Sequence, residues 1–131
     1  MKNILLYLWQ LPQNLLGLLV IAFTGAQPYK ALDITYYRPK RGRFGVSLGN
    51  YIILSYPYNN SKTVRHEHGH QRQSLYLGWL YLIVIGLPSA SGNLWDRAFH
   101  KSWSAMDREK WYYSLPWEAW ADKLGGVKRN A

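Results

Sequence analysis

Hydrophobic and polar positions fall into a few long blocks along this chain. Residues 3–29 carry no charge, and ILLYLWQLPQNLLGLLVIAF (4–23) is almost wholly apolar. A helix of that length reaches about 30 Å, the thickness of a bilayer's hydrocarbon core. The block predicts an N-terminal membrane-inserted helix over 3–26. Gln10, Pro12, Gln13 and Asn14 interrupt it, which a bundled or interfacial helix tolerates better than a lone span. A cleaved signal peptide is the rival reading, with Lys2 as its positive start and the small residues of TGAQP (24–28) near a cleavage point.

The next pattern has period two. In RFGVSLGNYIILS (43–55), Phe44, Val46 and Leu48 alternate, Gly49 and Asn50 form a turn dipeptide, and 51–54 is β-prone. This predicts a β-hairpin over 43–55. Ser61 or Thr63 can then cap a helix over 61–86, which begins polar with TVRHEHGHQRQS (63–74) and turns apolar in SLYLGWLYLIVIG (74–86). GLPSASG (86–92) is the expected break. Residues 73–95 are uncharged, but the apolar part is short for a span and basic residues dominate on both sides. That pattern fits a re-entrant or membrane-associated helical hairpin. From 93 to 126 the chain predicts two helices. The first is amphipathic through Leu94, Ala98, Trp103 and Met106. The second, PWEAWADKL (116–124), has Pro116 in its first turn and ends at Gly125 and Gly126. Residues 1–131 therefore read as one α+β domain, mainly helical.

Composition narrows the chemistry. There is no cysteine, so any metal must be held by His, Asp or Glu. Sixteen Lys and Arg against seven Asp and Glu give a net charge of +9, densest in RPKRGR (38–43). Such an excess suits an anionic surface. No nucleic-acid motif accompanies it, and the apolar blocks favour membrane lipid as the partner. The positive-inside tendency places the residues after the first helix, and any site they build, at the cytoplasmic face.

His66, Glu67 and His70 form the pattern H-E-x-x-H. One helical turn separates the two imidazoles, so they share a face and can share one ion. Glu67 lies about 100° around the axis, placed to take a proton from a metal-bound water. His68 faces away from this pair, and Gly69 between the ligands suggests a close backbone neighbour. A catalytic zinc typically takes a third protein ligand. Asp96, His100, Asp107, Glu109, Glu118 and Asp122 are the downstream candidates.

With WEAWAD (117–122) the chain resembles the gluzincins, zinc peptidases whose third ligand is a glutamate on a downstream helix, often followed four residues later by an aspartate. It also resembles small bacterial membrane-associated metallopeptidase-like proteins with a TVRHEHGHQRQSLYLGWLYL-type helix and a terminal E-x-W-A-D-x-L-G-G-V. The resemblance covers residues 44–126 and implies a minimal zincin-like core of hairpin, H-E-x-x-H helix and glutamate helix. It implies Zn2+ on His66, His70 and Glu118, with Asp122 orienting a ligand histidine. It implies hydrolysis of a peptide or protein substrate with Glu67 as general base. The gluzincins' large second domain is missing from this stretch. An oxyanion donor is required as well. His100 is the first candidate, then Tyr112, with Tyr113 beside it. An extended substrate can pair with strand 44–48 or 51–54. The alternative is a non-enzymatic membrane-associated adaptor with a structural zinc, closed by a fourth ligand such as His100.

Overall fold

The computed structural model describes residues 3–56 and 58–129. Its elements are α1 (Ile4–Trp9), α2 (Leu11–Thr24), β1 (Gln27–Ala31), β2 (Ile34–Arg38), β3 (Gly45–Leu48), β4 (Tyr51–Leu54), α3 (Ser61–Leu77), α4 (Leu87–Phe99), α5 (Ala105–Ser114) and α6 (Pro116–Gly125). Between α3 and α4 lies an elbow, a 3₁₀ turn over Gly78–Leu80 followed by a π turn over Leu82–Gly86. The fold is mainly helical α+β, with one four-stranded mixed sheet.

The N-terminal block is not one helix. Asn3 caps α1, which ends at Gln10, and Pro12 starts α2 where a missing N–H costs nothing. Among the described residues, no single helix is long and apolar enough to cross a membrane. The interrupting polar residues explain themselves in three dimensions. Gln10, Gln13 and Asn14 are all buried. Gln13 Nε2 donates to Ser74 Oγ and to the Gly78 carbonyl, both at 2.8 Å, and Ser74 Oγ donates to Gln10 Oε1 at 2.6 Å. Asn14 Oδ1 accepts the Asn50 N–H at 2.7 Å. The helical pair is thus hydrogen-bonded into the domain on two sides, at α3 and at the β3–β4 turn.

The 43–55 hairpin is present as β3 and β4, joined through Gly49 and Asn50, with Gly49 at φ 65°. A second hairpin, β1–β2, which the sequence pattern did not predict, leads into the basic cluster 38–43. It turns on Leu32 and Asp33, both at positive φ (54° and 61°). The sheet order is β1-β2-β4-β3, with β2 and β4 parallel. Strand β3 is therefore an edge and β4 an interior strand, so of these two only β3 can accept an added strand. Tyr36, Ile52, Leu54 and Val64 form the small core between sheet and α3.

The long helix expected over 61–86 stops at Leu77. Asn60, rather than Ser61 or Thr63, caps its start, accepting the Thr63 N–H at 2.9 Å. Gly78 breaks it at φ 55°, and a Cβ there would enter the Trp9 ring. Two reciprocal indole bonds hold this corner: Trp9 Nε1 donates to the Leu75 carbonyl (2.8 Å) and Trp79 Nε1 to the Leu8 carbonyl (2.9 Å). The predicted break at 86–92 lies inside helix instead, because Pro88 falls in the first turn of α4. The chain direction bends by 119° between the two arms. The C-terminal part holds three helices, since α4 continues to Phe99 and His100–Ser104 separate it from α5.

Candidate metal centre

Helices α3 and α6 pack with their backbones close together. A Cβ on Gly69 would strike the Ala121 carbonyl, and one on Gly125 would strike the Arg65 carbonyl. This contact of small residues brings Glu118 to the histidine face of α3. His66 Nε2 and His70 Nε2 each lie 3.0 Å from Glu118 Oε1, and all three residues are buried. Their ligand atoms lie within 4.8 Å of one another, so the group can hold a metal ion.

The outer hydrogen bonds decide which atoms face inward. His66 Nδ1 is 2.6 Å from Asp122 Oδ1, and His70 Nδ1 is 2.6 Å from Gln73 Oε1. The Gln73 amide is oriented by donating its own N–H to the Trp117 carbonyl at 2.9 Å. A carboxylate and an amide oxygen only accept, so both rings carry hydrogen on Nδ1. In neutral rings, two Nε2 lone pairs then point at an anionic oxygen inside a buried site. That arrangement repels itself unless a cation or a proton sits between. In the metal-free chain a proton serves. Burial opposes charge on His66, but the Asp122 and Glu118 hydrogen bonds outweigh it and push the ring up to about 9. Burial likewise opposes charge on Glu118, yet its contacts with His66 and His70 hold it far below the usual carboxylate range. A zinc with bonds of about 2.0–2.1 Å spaces its ligand atoms about 3.3 Å apart, close to the 3.0 Å that each histidine nitrogen keeps from Glu118 Oε1. The donor set fits a divalent ion.

Asp122 is held in turn. Arg129 donates to it through Nε (2.6 Å) and Nη2 (3.1 Å), and its guanidinium lies 3.4 Å from the centroid of Tyr113. Tyr113 meets the His66 ring edge-on at 4.9 Å.

Glu67 is also buried, and its Oε1 has no hydrogen-bond partner. Burial raises its pKa, against the pull of the two histidines. It lines a cleft of about 790 Å³ together with His70, Ser89, Tyr112 and the β3 residues Gly45 to Leu48. Ser89 was not legible as a site residue. Its hydroxyl donates to Glu118 Oε2 at 2.5 Å and lies 3.1 Å from the Tyr112 hydroxyl. Burial raises the Tyr112 phenol, which stays protonated across the neutral range.

His100, the first choice as oxyanion donor, is placed elsewhere. It ends α4, bonds Asp96 through Nδ1 (3.0 Å) and stacks on Trp103 at 3.7 Å between centroids. It does not line the cleft. An aromatic cage and an acidic partner on its own helix claim the ring. The other acidic candidates are engaged too, Asp96 with Arg108 (2.8 Å) and Glu109 with Arg129 (3.3 Å). Asp107 sits in the first turn of α5, its N–H capped by Ser104. His68 bonds Gln71, outside the triad.

No protein-family model, curated protein or solved structure matches the chain.

Proposed function

We propose that this protein is a zinc-dependent hydrolase of peptide bonds, with a reduced gluzincin-like core. The carrying observation is the convergence of His66 Nε2, His70 Nε2 and Glu118 Oε1 beside the buried, unpartnered Glu67 carboxylate. Among the described residues the triad gains no fourth His, Asp or Glu, which favours an open coordination position over a closed structural site. The edge strand, the H-E-x-x-H helix and the glutamate helix stand in the order such a core requires.

His66, His70 and Glu118 hold the ion. When bound, it supplies Lewis acidity, lowering the pKa of a coordinated water to about 7 and polarising a carbonyl. Glu67 removes the water's proton as the new C–O bond forms at the scissile carbonyl. Burial raises its pKa and so strengthens it as a base. The Tyr112 hydroxyl turns from Ser89 Oγ to donate a hydrogen bond to the developing oxyanion. Glu67 then delivers the proton to the leaving amine as the C–N bond breaks. The β3–β4 register turns the peptide groups of Gly45 and Ser47 away from β4, toward the cleft. The Ser47 carbonyl already accepts the Tyr81 hydroxyl at 2.8 Å. An extended peptide pairs along this edge and lies across Glu67 and His70.

The test compares zinc-reconstituted wild type with Glu67→Gln on a peptide library read by mass spectrometry. The variant is expected to bind zinc normally and to lose at least about 100-fold in cleavage rate. Full activity in Glu67→Gln would refute the reading. Zinc bound tightly with no cleavage by wild type would favour the structural, adaptor-type alternative.

A further inference from the structure

The apolar side chains left outside the core are not scattered. On α2, Leu15, Leu19 and Phe23 are exposed, Phe23 at 88%. On the elbow, Trp79, Leu80 and Ile83 are exposed, Ile83 at 66%. The reciprocal Trp9 and Trp79 bonds join the end of α1 to this elbow, so the N-terminal helices and the elbow present adjoining surface. A soluble monomer rarely exposes a contiguous apolar patch beyond a few hundred Å².

Two further observations say what covers it. The first is charge. Residues 3–29 and 73–95 contain no acidic or basic side chain, while RPKRGR (38–43) abuts the end of α2. There the Lys40 N–H donates to the Thr24 carbonyl at 3.0 Å, and the Lys40 side chain lies over Gly25. Arg97 stands on the cleft wall on the α4 side. An uncharged apolar face with basic residues at its borders complements an anionic bilayer, which offers hydrocarbon below and phosphate at the rim. The second is continuity with the cleft. Its walls include Leu16 and Val20 of α2, Leu82 of the elbow, and Leu87 and Leu94 of α4. Leu87 and Leu94 are 63% and 67% exposed.

We propose that the chain docks in the plane of an anionic bilayer through α1, α2, the elbow and α4, without crossing it, and that the cleft opens into the lipid. Its partner is then the bilayer itself. Docking does not depend on hydrolysis and is measured apart from it.

The chain has no cysteine, so single introduced thiols report cleanly. Leu94→Cys marks the cleft mouth. Lys62→Cys, roughly 24 Å from the elbow along α3 at about 1.5 Å per residue, marks the far end of that helix. Zinc-loaded protein carrying a nitroxide at either position is mixed with phosphatidylcholine vesicles with or without phosphatidylglycerol. The protein is expected to float with the anionic vesicles and at least ten-fold less with neutral ones. The label at 94 should be reached by lipid-dissolved oxygen and shielded from an aqueous nickel chelate, and the label at 62 the reverse. Leu19→Asp with Ile83→Asp, both at exposed positions, should keep the wild-type circular dichroism and zinc content and lose at least ten-fold in flotation. Failure to float, or flotation unchanged in that double variant, overturns the proposal. So does a stable dimer in which position 94 is shielded from both reagents, because a second copy then covers the face. A label at 62 found across the membrane from the side of addition overturns the in-plane orientation.

Discussion

Gly69→Ala probes the step on which the metal centre depends, the approach of α6 to α3. The added methyl would lie inside the contact distance of the Ala121 carbonyl, a backbone atom with no rotamer to retreat into. Overpacking in cores costs typically 1–3 kcal/mol, and a backbone neighbour puts this site near about 3 kcal/mol. Alanine recovers about 1 kcal/mol of helix propensity, leaving a net loss of about 2 kcal/mol. For a chain of this length that lowers Tm by about 7 °C. The second consequence is specific to the site. Relief requires α6 to move away from α3, and Glu118 moves with it while His66 and His70 stay. Zinc affinity should therefore fall at least about ten-fold, by competition with a chromogenic chelator, since each ten-fold equals about 1.4 kcal/mol. A variant as stable as wild type with unchanged zinc affinity would show that the helices are not in this contact, and the proposed ligand set would go with it.

Asp122→Ala removes the acceptor from His66 Nδ1 and should weaken zinc binding about 10–100-fold in the same competition assay, whereas an unchanged affinity would separate Asp122 from the site. The metal-free protein should lose stability as pH rises. His66 is raised from 6.5 to about 9, so its contribution is fully present below about 6.5 and is lost as pH passes about 9, an effect of about 3 kcal/mol on a ring this buried. Zinc displaces that proton, so calorimetry at pH 7.5 in buffers of different ionisation enthalpy should register about one proton released per ion. Release of none would mean the ring is already neutral. Gln13→Ala leaves the Ser74 hydroxyl and the Gly78 carbonyl without their donor and should cost about 1–3 kcal/mol in urea unfolding. No change would mean that α2 is not docked on α3.

How much of this was legible from the residues follows from the range of each interaction. The His66 and His70 pair is local: helical pitch alone sets two imidazoles on one face. The β3–β4 hairpin is local as well, because Gly49 and Asn50 carry the turn within the strands they join. Glu118 and Asp122 were legible only through resemblance, since nothing near position 118 in the chain says which helix it will meet. Gly69 hinted at a close neighbour without naming Ala121. The tertiary structure decided the rest. Gln10, Gln13 and Asn14 looked like flaws in an apolar helix and are its hydrogen-bonded contacts to α3 and to the β3–β4 turn. The β1–β2 hairpin was hidden because Leu32 and Asp33 take positive φ without glycine, which neighbouring structure must enforce. The helix break moved to Gly78 because Trp9, far earlier in the chain, fills the space a side chain would need. Ser89, Gln73 and Arg129 joined the site, and His100 left it, for the same reason: a side chain's role in a buried polar network is set by which remote partners reach it, and that is fixed only when the helices pack.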